Sequence, residues 1–168
     1  MNLDNLQNVY VEQLKDMYSA EKQLVDALPK MAAAASTPQL KKAFQHHLEE
    51  TRQHMTLVQT ILGELDENPG NKKCVAMEGL IEEGSHVIKT KGDAQAKDAA
   101  LILAAQKVEH YEIATYGGLR AYANTLGYSA SAQTLQEILD QEYNADQKLD
   151  DIALGTVLSD GINEKATV

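Results

Sequence analysis

The sequence predicts an all-α protein, a four-helix bundle in which two helical hairpins are joined by one long crossover. Apolar residues recur with a helical period along four long segments, and breaks are few, because the 168 residues include only three prolines and ten glycines. No segment has the alternating pattern of a half-buried strand. Since 43% of the residues are apolar, the chain can bury one sizeable core. We expect a single domain over residues 1–160 and a short polar tail over residues 161–168 that frays, as chain termini often do.

The first hairpin covers two helices separated by the turn "STPQ". The first helix is expected over residues 3–35, and Pro29 should kink it because proline cannot donate the backbone hydrogen bond. The turn supplies an N-cap, with Pro38 in the first turn of a second helix that ends near residue 65. The apolar stripes of these helices contain Leu6, Tyr10, Met17, Leu24, Leu28, Met31, Leu40, Phe44, Val58 and Leu62.

A long connection separates this hairpin from the second one. It contains the loop "LDENPGNKK" and a short helix, "VAMEGLIEEGSHVIK", and at about 1.5 Å per helical residue it can travel the length of a bundle. The third long helix follows from residue 93 to "LGYS", and the fourth is expected over residues 131–159. A connection of this length allows the one-crossover topology of ferritin-like bundles, which an up-down-up-down bundle does not need.

The charge balance favours cations as partners. Lys and Arg number 15 against 25 Asp and Glu, which gives a net charge of −10, so nucleic acid and anionic membranes are poor partners. The acidic N-terminal stretch does not resemble a signal peptide, and the apolar run over 99–105 is too short to cross a membrane. One cysteine, Cys74, fits a reducing compartment. We therefore expect a cytoplasmic protein.

Each long helix directs at least one carboxylate at its own apolar stripe. At about 100° per residue, Glu142 and Asp146 in "QEYNAD" fall on the same face as the residues that the helix should bury. Charged side chains at the edge of a stripe usually extend to water, but six acids on four helices make that interpretation strained. The inward polar residues are Glu21, His47, Glu50, Thr51, His54, Glu109, Glu112, Glu142 and Asp146.

The acids also share one level of the bundle. Glu21 lies 15 residues before the turn at Ser36 and Glu50 lies 14 after it, while Glu112 and Glu142 each lie 15 residues from Gly127. Both hairpins therefore place carboxylates at mid-bundle, about 22 Å from their tips.

Carboxylates gathered at one level require neutralisation, because two of them 4 Å apart repel by about 4 kcal/mol at an effective dielectric of 20. Protonation with raised pKa values is one solution, and two divalent cations are the other. In the metal-free protein we expect crowding to raise the pKa values of these acids. The substitution Glu142→Gln should then stabilise the metal-free protein and weaken metal binding.

Four strings, "YSAEKQLVDALPKM", "HHLEET", "KKCVAMEGLIEEG" and "VEHYEIATYG", resemble the YciE/YciF family of small bacterial ferritin-like proteins, and the resemblance extends across essentially the whole chain. It implies a ferritin-like bundle, a homodimer, a cytoplasmic setting associated with stress and a rubrerythrin-like centre of two metal ions. The ions implied are iron first, with manganese, zinc or magnesium as alternatives.

The resemblance also implies ligand roles. Glu21 matches the first-helix ligand, Glu50 the bridging glutamate of the second helix, and Glu142 the bridge of the fourth. Glu109 and Glu112 resemble the paired acids of the third helix. The chain departs from the usual pattern twice: His54 follows Glu50 by four residues instead of three, and Asp146 stands where many ferritin-like proteins have histidine, which would leave one half of the site with oxygen ligands only.

Several features have two interpretations. His47 can pair with Glu50 as an alternative ligand, although a hydrogen-bonded core histidine is more common. Tyr18 and Tyr116 can hydrogen-bond to ligands or carry an electron, although aromatic packing is the commoner role. The thiol of Cys74 can be activated by the short helix or be inert. The apolar residues of the short helix can form a dimer contact or cover the bundle: Met77, Leu80, Ile81 and Ile88.

Two functions follow from these expectations. The first is a di-iron or mixed-metal protein that reacts with oxygen or peroxide, either oxidising Fe(II) or removing an oxidant. The second is a non-enzymatic, stress-induced dimeric scaffold in which the inherited site holds metal weakly or not at all.

Overall fold

A computed structural model describes residues 3–156 and 159–167 of the chain. Its five longer α-helices agree with the predicted order and lie close to the predicted bounds, and a sixth, short helix lies in the predicted tail. Residues 157 and 158, which belong to the predicted fourth helix, and residue 168 of the predicted tail lie outside the described residues, as do residues 1 and 2. The helices are α1 (Leu6–Ala34), α2 (Pro38–Glu64), α3 (Val75–Lys89), α4 (Ala94–Leu126), α5 (Ser129–Leu154) and α6 (Ile162–Lys165).

The four long helices form a bundle of two hairpins, and the predicted all-α class is confirmed. Helix α1 packs against α2, and α4 packs against α5, while the hairpins meet through α1 with α4 and α2 with α5. The crossover helix α3 lies on α1 and α4. Pro29 lies inside α1 without ending it. This arrangement gives one core that all four long helices line, and the polar cluster described below lies within it.

The turn between α1 and α2 is held by a side chain from the other hairpin. Thr37 makes no side-chain cap at the N-terminus of α2. Instead, the buried carboxylate of Asp98 in α4 accepts hydrogen bonds from the backbone nitrogens of Ser36, at 2.8 Å, and Thr37, at 2.7 Å. The negative charge also suits the positive end of the helix dipole. The predicted N-cap is therefore supplied by tertiary structure.

The C-terminal segment differs from the expectation in two ways. Helix α5 ends at Leu154, where Gly155 has a φ of 79°, and residues Gly155–Thr156 and Ser159–Asp160 pair as two short antiparallel strands, β1 and β2. A Cβ atom at Gly155 would collide with the backbone of Gly161, so this close reversal needs glycine. The strands were not predicted, because two-residue pairings leave no periodic signal.

The polar tail was expected to fray, but its described residues pack. Helix α6 contacts α4 and α5, and its Ile162 is buried in the core. The buried Ile162 therefore attaches the segment to the core. The division into one domain over 1–160 and a tail stays a prediction.

No helix in the described residues is both long enough and apolar enough to cross a membrane.

Candidate metal centre

Four glutamates lie in the core of the bundle. Glu21 comes from α1, Glu109 and Glu112 from α4, and Glu142 from α5, and at most 3% of any of them is exposed. Each belongs to an otherwise apolar helix face, so burial of that face carries the carboxylate inward. An unpaired buried carboxylate is costly, which means that the cluster needs positive charge or protons.

Two histidines of α2 provide part of that charge. His47 and His54 are buried and seven residues apart, so they lie two helical turns from each other on one face. His54 Nδ1 lies 2.9 Å from Glu142 Oε1 and 3.8 Å from Glu21 Oε1. His47 Nε2 lies 3.4 Å from Glu109 Oε1 and 3.7 Å from Glu142 Oε2. The two oxygens of Glu142 thus face different histidines.

The donor atoms fall into two sets, in each of which all atoms lie within 4.8 Å of one another. One set consists of Glu21, His54 and Glu142, and the other of His47, Glu109, Glu112 and Glu142. Glu142 is the shared member. Each set combines one imidazole nitrogen with carboxylate oxygens. The expectation that one half of the site has oxygen ligands only is therefore wrong.

Several buried oxygens of the cluster have no hydrogen-bond partner in the described part of the chain. They include both oxygens of Glu112, Oε2 of Glu21 and Oε2 of Glu109. Native proteins seldom leave such atoms unsatisfied, and an unplaced ion is one recognised reason. Together with the two imidazoles, these free oxygens form a donor set that fits a pair of divalent transition-metal ions.

The outer nitrogen of each histidine faces an oxygen acceptor. His54 Nε2 lies 2.6 Å from Oε1 of Gln141, and His47 Nδ1 lies 3.3 Å from Oε2 of Glu50. Because these oxygens only accept, each outer nitrogen carries a proton and donates it to its partner, while each inner nitrogen faces the carboxylates of the cluster. Outer partners of this kind fix the tautomer and ring orientation of metal-binding histidines.

Tyr116 orients Glu21. Its hydroxyl is buried and donates a hydrogen bond to Oε1 of Glu21, while its ring packs edge-on against His54 at a centroid distance of 6.3 Å. Of the two roles considered for this tyrosine, the hydrogen bond to a cluster acid is therefore present alongside packing. Tyr18 is partly buried and packs against the apolar core.

Burial controls the pKa values of three of the acids. It raises the pKa of Glu21 to about 7, with His54 opposing the rise and Glu142 adding to it. Burial and the charges of neighbouring groups also hold the pKa of Glu109 and Glu112 well above the usual value. The expectation that crowding raises these pKa values holds for these three.

Glu142 behaves in the opposite way. Burial would raise its pKa, but the hydrogen bond and charge of His54 and the charge of His47 outweigh burial and lower it. The carboxylates have the reverse effect on His47. Burial would lower the pKa of this histidine, but the adjacent carboxylates of Glu109, Glu50 and Glu142 raise it to about 10. The expectation of a raised pKa at Glu142 is thus wrong, because two imidazoles flank this carboxylate.

Two predicted ligands lie outside both donor sets. The Glu50 side chain is 19% exposed and contacts His46 and His47; burial would raise its pKa, but these histidines lower it. Asp146 lies at the edge of α5, where His110 Nε2 is 3.2 Å from its Oδ2 and Gln106 donates to its Oδ1. The predicted residues that the structure brings together are Glu21, His54, Glu109, Glu112 and Glu142.

His47 and Gln141 are the residues that sequence reasoning undervalued. A signal for His47 exists, because His47 and Glu50 are three residues apart and therefore neighbours on α2. Gln141 gives no such signal, since a glutamine beside a buried glutamate is unremarkable before the helices are assembled.

Cys74 lies away from the cluster and is buried. Its thiol is 3.0 Å from the hydroxyl of Tyr111, and its sulfur caps α3 by accepting from the Met77 nitrogen. Burial raises the pKa of this thiol. An activated thiolate is therefore not favoured here. In α3, Met77 is buried, while Leu80, Ile81 and Ile88 are partly buried against the core.

Comparison with known proteins gives related chains of similar length. Protein YciF of Escherichia coli strain K12 is 48% identical over 158 residues, which cover 94% of this chain and 95% of that protein. The crystal structure of the E. coli stress protein YciF has a TM-score of 0.89 at 46% identity and covers 94% of this chain and 99% of the other. The quoted strings also favour YciE within the family, but the relative found is YciF, so YciE in particular is not supported.

Two further solved structures are similar. YcfI from Rhodopseudomonas palustris has a TM-score of 0.87 at 35% identity and covers 91% of this chain and 98% of its own. A ferritin-like, diiron-carboxylate protein from Bacillus anthracis strain Ames has a TM-score of 0.67 at 18% identity, with coverage of 89% and 97%. At that identity the likeness shows the fold alone.

The family model described as "Domain of unknown function (DUF892)" matches residues 5–165. The chain therefore belongs to the DUF892 family, has YciF of E. coli as a relative, and folds as a ferritin-like four-helix bundle with a buried carboxylate and histidine cluster.

Proposed function

We propose that the buried cluster binds two divalent metal ions, with iron as the expected metal, and that this centre reacts with oxygen or peroxide as part of a stress response. The observation that carries the proposal is the position of Glu142, whose two oxygens face His54 and His47 in two different donor sets. A carboxylate shared in this way is what a bridge between two ions requires.

The ligands of one ion would be Glu21, His54 and Glu142, and those of the other His47, Glu109, Glu112 and Glu142. Nitrogen and oxygen donors together suit iron, and manganese, zinc or magnesium are the alternatives. Glu50 supports His47 from outside the donor sets, and Asp146 lies beyond them.

A bound pair of Fe(II) ions would supply electrons to an oxidant such as oxygen or peroxide. The chain itself supplies position and protons. The bundle core excludes bulk water from Glu21, Glu112 and Glu142, and Tyr116 holds Oε1 of Glu21. Burial raises the pKa values of Glu109 and Glu112, which favours the protonated form of these acids. Carboxylates that hold protons when metal is absent release them when metal binds, so loading should release protons.

Metal analysis of protein purified without added metal is the first test. We expect near-stoichiometric occupancy by two transition-metal ions, and fast ferric formation when air is admitted to protein loaded anaerobically with two Fe(II). The double variant His47→Gln/His54→Gln should lose both properties. The matched control His86→Gln/His110→Gln changes two exposed histidines and should keep them. Oxidation no faster than in buffer would overturn the redox part of the proposal.

A second candidate is a non-enzymatic scaffold that holds no metal. The observation that favours it is the contact of His54 with Glu142 and of His47 with Glu109, since these pairs neutralise part of the cluster without an ion. Absence of metal after purification, together with failure of the protein to take up Fe(II) or Zn(II), would establish it. The stress setting is suggested by the name of the E. coli relative.

A homodimer and a cytoplasmic location belong to the same proposal. Sedimentation of the full chain at several concentrations tests the first, and cell fractionation tests the second.

A further inference from the structure

A cavity of about 460 Å³ opens between α2 and α5, beside the cluster. Its inner end is formed by His47 and Glu109, which are buried members of one donor set. Cavities of 300 to 1,000 Å³ are the usual size of sites for small organic molecules. A molecule in this cavity would therefore reach from the protein surface to the candidate metal centre.

The walls of the cavity are apolar. Phe44 of α2 and Leu149 of α5 are buried, and Ala43 and Ala145 are partly buried beside them. These side chains offer no hydrogen bonds, so they favour an apolar body over a sugar or a nucleotide.

The rim of the cavity, where it opens to the surface, is polar, in contrast to its walls. Lys42, Lys148 and His46 line the cavity and are exposed, and neither lysine has an ion pair or hydrogen bond in the described part of the chain. Of the two acids that line the cavity, Glu109 is buried and contacts His47, and Glu50 is partly buried and contacts His46 and His47. The exposed charged groups of the rim are therefore two lysines without an acidic partner among the described residues, on a chain in which 25 acidic residues outnumber 15 basic ones.

We propose that this cavity binds a small organic anion with an apolar body, of which a medium-chain aliphatic carboxylate is the simplest example. Lys42 and Lys148 hold the anionic group at the rim, and the apolar body lies along Phe44 and Leu149 towards His47. The proposed binding of this anion depends only on the cavity and not on metal in the neighbouring cluster. The further role of this ligand, as a substrate or regulator of the centre, rests on the proposed function.

Calorimetric titration of the full chain with butanoate, hexanoate and octanoate tests the proposal. Each buried methylene contributes about 0.8 kcal/mol, so the dissociation constant should fall up to about fourfold for each added methylene. Octylamine has the same apolar body with a positive group and should bind several-fold more weakly than octanoate, because the rim lysines repel it. Equal binding of octylamine and octanoate would overturn the proposal, as would no binding of octanoate at millimolar concentration.

Substitutions locate the site. The double variant Lys42→Ala/Lys148→Ala should bind octanoate about threefold or more weakly, in line with exposed charge pairs. The matched control Lys22→Ala/Lys165→Ala removes two exposed lysines that do not line the cavity, and it should bind as the unchanged chain does. Ala43→Phe should fill part of the cavity and weaken octanoate more than butanoate. Equal effects of the two double variants would overturn the proposal.

The same samples separate this inference from the proposed function. Octanoate binding without metal occupancy would support the anion site and overturn the proposed metal centre. Metal occupancy without octanoate binding would support the metal centre and overturn the anion site. A second copy of the chain is the other candidate occupant. If a second copy covers the cavity, Lys42 and Lys148 should be protected from acetylation at high protein concentration without octanoate, and the protection should be lost on dilution. That result would overturn the proposal.

Discussion

Glu142 has an environment that the other buried acids lack, because histidine nitrogens approach both of its oxygens. Burial would raise its pKa, but His54 and His47 lower it. The ionised carboxylate therefore stabilises the metal-free fold.

The substitution Glu142→Gln should destabilise the metal-free protein at neutral pH, which reverses the expectation drawn from the sequence. Removing one partner of a buried ion pair costs about 3 to 5 kcal/mol, because the other charge is left unpaired. Urea unfolding of metal-free protein measures the change. Glu137→Gln, an exposed position on the same helix, should stay within about 0.5 kcal/mol. A stabilised Glu142→Gln protein would mean that repulsion among the acids outweighs the two histidines.

Gln141 contacts the outer side of the His54 ring, with its Oε1 2.6 Å from Nε2, and we expect this contact to keep Nδ1 facing the cluster. Gln141→Leu removes the acceptor on Nε2, so we expect metal affinity to fall about 10- to 100-fold. Gln141→Glu keeps an acceptor and should retain most of the affinity. Competition titration with Zn(II) measures the affinity, and the nitrogen-15 shift of His54 Nε2 in the metal-free protein reports the loss of its hydrogen-bond acceptor. Unchanged shifts and unchanged affinity in Gln141→Leu would show that Gln141 does not position the ring.

At the level of elements, α2 begins where it does because Asp98 of α4 accepts from two backbone nitrogens of the preceding turn. Asp98→Ala removes the acceptor from both backbone nitrogens, and hydrogen bonds to charged groups contribute about 1.5 to 3 kcal/mol each. We expect a loss of at least about 2 kcal/mol in the free energy of unfolding. Asp93→Ala, which removes an exposed N-cap of α4, should cost only about 1 kcal/mol. Equal losses in urea unfolding would argue against a special role for Asp98.

The start of α3 depends on Cys74 as a cap and not as a reactive group. Cys74→Ser keeps an acceptor for the Met77 nitrogen, so metal occupancy and the rate of Fe(II) oxidation should not change. Cys74→Ala removes that acceptor and should cost about 1 kcal/mol of stability, again without an effect on metal. Metal analysis and stopped-flow oxidation make the comparison. A loss of more than about tenfold in oxidation rate in Cys74→Ser would show that the thiol participates.

At the level of the whole molecule, the cluster makes the stability of the metal-free protein depend on pH. The folded-state pKa of Glu21 is raised from 4.5 to about 7, and that of His47 from 6.5 to about 10. Groups with raised values contribute stability that is fully present below the unfolded pKa and is lost as pH rises through the folded pKa. The free energy of unfolding should therefore fall from about pH 4.5 to about pH 10, by about 1.4 kcal/mol per pH unit for each additional proton bound by the folded state.

Metal should reverse this trend. Ligands must lose their protons to bind metal, so the stability added by Zn(II) should increase with pH over the same range. Urea unfolding at a series of pH values, with and without Zn(II), tests both statements. Glu21→Gln should flatten the metal-free curve near pH 7. Metal-free stability that rises through this range would contradict the protonated state of the cluster.

The sequence by itself determined the five longer helices, their order and four of the six acids expected to point inward. Helical periodicity depends only on which residues must be buried, and it located α3 at the predicted residues and the long helices within a few residues. The same periodicity placed Glu21, Glu112 and Glu142 on buried faces at one height, because turns at known positions fix the level of each residue along a hairpin.

Only the tertiary structure decided which atoms meet. Whether Glu142 contacts His47, whether Gln141 holds His54, and whether Asp98 caps α2 all depend on how helices rotate and pack against each other, which periodicity leaves free by tens of degrees. The charge state of Glu142 followed from those contacts, because the electrostatic effect of a neighbour depends on a distance of a few ångströms between residues far apart in the chain.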